Sequence, residues 1–185
     1  REAEEVLKRI KELADEIRKR NRESLERIRK SSEDLKRENE DSIRRVRELI
    51  DTLRRRLEKE KDKKTIEEIV KEIDKRLKEL LDRNRRRNEE AVKEHEELLK
   101  ENRKENEEIL RDAERLLRDL ERKGVPKELV DRIRDLIRRI KDELKESDDR
   151  IKELIDKSKE DLDKSDEDLK REIDKAREEL AKAIK

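Results

Sequence analysis

An uncharged side chain returns five times in every 18 residues of this chain, and few folds accept such a pattern. The first segment shows it in Ala3, Val6, Ile10, Leu13 and Ile17, and adding 18 gives Asn21, Ser24, Ile28, Ser31 and Leu35. Adding 18 again gives Asn39, Ser42, Val46, Leu49 and Leu53. Two further segments repeat the series from Ile66 and from Leu129. Five positions in 18 residues match the roughly 3.6-residue turn of a relaxed α-helix, so each series is one continuous stripe on one helix face. A heptad, at about 3.5, would impose a left-handed supercoil; this spacing predicts helices that lie almost straight.

Composition does not produce the stripe by chance. Asp, Glu, Lys and Arg make up 62% of 185 residues, so 48 random positions would hold about 30 charges. The stripe has sixteen positions per segment, 48 in all, and none is charged. Low hydropathy alone would suggest disorder, but disorder goes with a large net charge. Here 58 basic residues balance 57 acidic ones to a net +1. Extra apolar residues at the same spacing (Leu7, Leu25, Ile43; Leu80, Leu98, Leu116) widen the stripe, as a helix touching two neighbours requires.

Two places read as breaks. At Asp62-Lys63-Lys64-Thr65, Thr65 followed by Glu68 has the form of a capping box. At Lys123-Gly124-Val125-Pro126, the chain's one Gly suits the left-handed residue after a helix, and its one Pro suits the first position of the next. The expected fold is therefore all-α: one domain over residues 1–185, an up-down-up antiparallel three-helix bundle. Its helices are expected at about 2–61, 66–122 and 126–184, with turns at 62–65 and 123–125. Helices of about 60 residues would run about 90 Å at about 1.5 Å per residue.

Thirteen stripe positions are polar: Asn21, Ser24, Ser31, Asn39, Ser42, Asn84, Asn88, His95, Asn102, Asn106, Ser147, Ser158 and Ser165. Asn and Ser are mediocre inside helices, so their concentration on the buried face calls for a reason. Unpaired, each would cost about 1–3 kcal/mol, which together exceeds a domain's stability of about 5–15 kcal/mol. They are expected to bond to one another or to trapped water. Antiparallel pairs keep a constant sum of residue numbers. Ser42 with Asn84, Ser31 with His95 and Ser24 with Asn102 share one sum; Asn39 with Asn88 and Asn21 with Asn106 exceed it by one. Asn84 with Ser165 and Asn102 with Ser147 align the second and third helices in the same way. Two five-residue clusters follow, one a copy of the other displaced by 18 residues, with His95, Ser31 and Ser158 between them. The stripe from Asn21 to Ser42 has only Ile28 and Leu35 as apolar members, which leaves the middle of the bundle open to water.

With its 18-residue spacing, copied polar cluster, minimal turns and Glu/Lys/Arg surface, the whole chain resembles computationally designed single-chain helical bundles with buried hydrogen-bond networks. The resemblance implies a purpose as a scaffold or as a building block of a larger assembly, and no metabolic role.

The residues themselves exclude much. Without Cys there is no disulfide and no thiolate metal site, and without Phe, Tyr or Trp there is no stacking platform for bases. No apolar run is long enough to span a membrane, and no N-terminal stretch reads as a signal peptide. Localisation is unspecified; the expectation is a soluble chain suited to bacterial cytoplasmic expression. His95 has no second His and no stripe carboxylate beside it, so it reads as a hydrogen-bonded structural residue, and burial should lower its pKa. Arg54-Arg55-Arg56 and Arg85-Arg86-Arg87 lie among acids and read as solvated surface rather than a nucleic-acid site. Expected cofactors and metals are none, and catalysis is not expected. No partner is required and the chain is expected to be a monomer. The alternative is an assembly component that self-associates or accepts another helix.

Overall fold

The computed structural model describes residues 1–184. Three α-helices account for nearly all of them: α1 (Glu2–Lys59), α2 (Lys63–Arg122) and α3 (Lys127–Ile184). Acids in the first turn of α1 (Glu2, Glu4, Glu5) and bases in its last (Arg56, Lys59) oppose the helix dipole. The burial pattern follows the stripe. None of its 48 positions is exposed. Among the buried residues only Ala14, Ile50 and Val130 lie off it.

The first turn departs from expectation. Thr65 is not the N-cap. α2 starts at Lys63, and the Asp62 carbonyl accepts the Ile66 amide at 3.0 Å. The Thr65 hydroxyl donates to Asp62 Oδ2 at 2.8 Å, while Glu60 Oε1 accepts the amides of Lys61 and Asp62. Asp caps as well as Thr does, and starting earlier adds helical residues and sets a carboxylate at the dipole's positive end. At the second turn Gly124 adopts φ 70°, with Gly124 N–H to Glu121 O at 3.3 Å and Val125 N–H to Leu120 O at 3.5 Å. This is the Schellman arrangement. Pro126 is the residue before α3 rather than its first: its carbonyl accepts the amides of Leu129 and Val130.

The chain forms two compact units. One joins Arg1–Arg29 to Glu94–Asp156; the other joins Lys30–Lys93 to the described residues from Lys157 onward. Each contains a piece of all three helices. In the first unit, Ile10, Leu13 and Ile17 of α1 meet Ala113, Leu117 and Leu120 of α2 and Ile133, Ile137 and Ile140 of α3. A smaller cluster joins Ile28, Leu99, Ile151 and Ile155. In the second unit, Val46, Ile50 and Leu53 pack with Val70, Ile73 and Leu77 and with Leu169, Ile173 and Leu180, and a small cluster holds Leu35, Ala91 and Leu162. In both units rising numbers on α1 meet falling numbers on α2. α1 and α3 run parallel, as Arg18–Glu143 in one unit and Arg47–Glu172 and Arg54–Glu179 in the other show by a constant offset of 125 residues. The Arg18 guanidinium, bonded to both Glu143 oxygens at 2.7 and 2.9 Å, holds that carboxyl below its usual range.

Candidate functional site: two buried asparagine networks

Polar residues enter the core because the 18-residue repeat puts them on the stripe, and the helices then fix what they face. In the first unit Asn21 is the hub. Its Oδ1 accepts Asn102 Nδ2 at 2.8 Å and Asn106 Nδ2 at 3.0 Å, and the Ser24 hydroxyl donates to Asn102 Oδ1 at 3.3 Å. All three asparagines are buried. The expected pairs Ser24–Asn102 and Asn21–Asn106 are both present. Ser147 is half-buried, and no hydrogen bond joins it to Asn102 among the described residues. The residue after it, Asp148, is gripped by Arg103 through Nε at 2.6 Å and Nη2 at 2.8 Å.

The copy in the second unit is wired differently. Ser42 donates to Asn84 Oδ1 at 3.2 Å, as its counterpart does. The amide groups of Asn84 and Asn88, however, both go to Asp166 Oδ1, each at 2.8 Å. Asn39, the counterpart of Asn21, is 2% exposed, and neither its Oδ1 nor its Nδ2 has a partner in the protein. Two expected pairs are thus overturned. Asn39 does not bond Asn88, and Asn84 bonds Asp166 instead of the half-buried Ser165. A carboxylate one residue further on reaches deeper and is a stronger acceptor than a hydroxyl. Burial pushes the Asp166 carboxyl up in pKa, while the two amide bonds and the nearby Arg85 pull it down.

Ser158 is buried and shares a 3.0 Å hydrogen bond with Ser32, a residue just off the stripe. Ser31 is half-buried on α1 and His95 is buried on α2. Sequence reasoning missed Asp166, Ser32 and Arg87, which donates Nη2 to Asn84 Oδ1 at 2.8 Å. All three border the stripe, and charge or position excluded them from it.

Burial lowers the pKa of His95 below its ordinary 6.5, opposed in part by Glu94. The unfolded chain then takes up a proton before the folded one does. Stability from this residue is full above about 6.5 and falls with pH toward the depressed folded value. Acid titration of the wild type against His95→Gln should show an extra loss beginning just below that point. An NMR pKa at or above 6.5 for His95 would contradict it.

Among the described residues no group of three His, Cys, Asp or Glu side chains is placed to hold a metal ion, and no helix is long and apolar enough to cross a membrane. Fold and site together define a class: a three-helix bundle with buried side-chain hydrogen-bond networks. The chain is similar to a solved structure described as a computationally designed three helix bundle, with a TM-score of 0.59 and 24% identity over 99% of this chain and 90% of that one. No protein-family model and no curated protein matches the chain.

Proposed function

We propose that this protein is a designed structural scaffold without enzymatic activity, and that its buried networks fix helix register and pairing. The Asn21 hub carries the reading. Two buried α2 asparagines, Asn102 and Asn106, both donate to Asn21 Oδ1 of α1, an arrangement that a slip of one helical turn would break. A shift of one helical turn would set amides against apolar side chains, at about 1–3 kcal/mol for each orphaned group. Buried polar contacts of this kind are best attested as devices of register and specificity rather than of stability.

The test replaces Asn21, Ser24, Asn39, Ser42, Asn84, Asn88, Asn102 and Asn106 together by Leu. The expected product resists denaturant at least as well as the wild type but loses its single state, with broadened NMR lines and mixed association. The wild type should sediment as one species of 22.7 kDa. A Leu variant that remains one sharp monomeric species would refute the register role.

One observation favours a second reading, a module that accepts another helix. In the first unit a groove of about 360 Å³ between α1 and α3 has an apolar floor that includes Ile17, Leu25, Ile140 and Leu144. Asn21 and Ser147 also line it. A solution mass that is a multiple of the monomer's would support this reading.

A further inference from the structure

The two networks contain the same residues at matching positions: Asn21, Ser24, Asn102, Asn106, Ser147, Asp148 and Arg103 in one, and Asn39, Ser42, Asn84, Asn88, Ser165, Asp166 and Arg85 in the other. They nevertheless adopt different hydrogen-bond states. In the first, the α2 amides turn to α1 and reach Asn21. In the second, they turn to α3 and reach Asp166. Identical parts in different states imply that a differing neighbour decides.

Among side chains that contact the networks or their partners, one pair of positions stands out. Residue 105 on α2 is Glu, and it pairs with Arg20 of α1 at 3.0 Å. Its counterpart 18 residues away is Arg87, and it pairs with Glu38 of α1 at 2.9 Å. The ion pair is kept but its polarity is reversed. The reversal matters because only the guanidinium has spare donors. Arg87 gives Nη2 to Asn84 Oδ1 at 2.8 Å, beside the Ser42 hydroxyl on the same oxygen. With that oxygen held on the α1 side, the amide N–H groups of Asn84 face α3. Glu105 has no proton to give, so Asn102 Oδ1 is held by Ser24 alone and its amide is free to turn to Asn21.

We propose that the sign of the residue at 87 or 105 selects which neighbouring helix the α2 asparagine pair recognises: a base directs the pair to the α3 carboxylate, an acid to the α1 asparagine. Arg87 is then a positioning and specificity-determining residue. This rests on the reading that the networks govern pairing, and it adds what sets their choice. Asp148 and Asp166 follow from the same selection. Asp148, which the amides leave alone, is bound by Arg103, whereas Asp166 takes the amides and forms no ion pair with Arg85 among the described residues. The arrangement also accounts for Asn39, which the second network leaves without a protein partner.

The test exchanges the ion pair in the intact chain, as Arg87→Glu with Glu38→Arg. Side-chain amide NOEs from Asn84 and Asn88 should move from Asp166 to Asn39. Asn39→Leu, near neutral in the wild type, should now lower the folding equilibrium constant roughly tenfold or more, because it would orphan two buried donors. The reciprocal exchange, Glu105→Arg with Arg20→Glu, should send the Asn102 and Asn106 amides to Asp148, and it decides the matter if the first variant fails to fold. Amides that keep their partners in a folded, exchanged variant would overturn the proposal. That result would leave the register role standing, since the Leu replacement tests it separately.

Discussion

Asn21→Leu is expected to destabilise the protein by about 2–3 kcal/mol, since two orphaned donors at about 2 kcal/mol each outweigh about 1–2 kcal/mol from the buried Leu. The donors are Asn102 Nδ2 and Asn106 Nδ2, both of which rely on Asn21 Oδ1. The same change 18 residues on, Asn39→Leu, should be neutral or stabilising by up to about 2 kcal/mol, with any overpacking strain acting against the gain. Asn39 is as deeply buried, but its side chain makes no hydrogen bond within the protein. Two positions that are equivalent by sequence spacing should thus respond in opposite directions. Urea unfolding of both variants reads the difference directly, and equal losses at the two sites would mean that the networks are wired alike.

The second large effect lies in the apolar core. Leu77 is 0% exposed and sits among Val46, Leu53, Val70 and Ile173. Leu77→Ala removes most of a fully enclosed side chain and leaves a cavity, so it should cost about 2–5 kcal/mol. Leu80, one turn on, is half-buried and lines an open groove with Leu49. Leu80→Ala should cost clearly less, because solvent already reaches its site and no closed cavity forms. Similar losses from the two substitutions would show that the stripe and its flank do not differ in burial.

The stripe could be read from spacing because a helix turns the same way at every residue; the face of Ile10, Ile28 and Val46 follows once the period is known. Pairings such as Ser24–Asn102 followed from antiparallel register for the same reason. The Asp166 hub did not. A stripe defined by absence of charge excludes a carboxylate at its edge, although Asp166 there is half-buried and bonded to two amides. Copy symmetry also misled: it assigned one wiring to both networks, whereas the exchange of Glu105 for Arg87, visible in the sequence, accompanies a different one. Thr65 failed as a cap for a local reason. Asp62, three residues earlier, caps equally well and begins the helix sooner.

Gly124 takes a left-handed backbone angle, and a Cβ built there meets nothing within 4 Å. The bend is held by the dihedral preference of Gly124, by two main-chain bonds and by Val125, which packs against the core of the first unit. Foreign sequence spliced in at this bend, such as a displayed epitope or a small folded cargo, would meet open space at Gly124 and would need only to keep Val125 seated, which makes the glycine a natural grafting point.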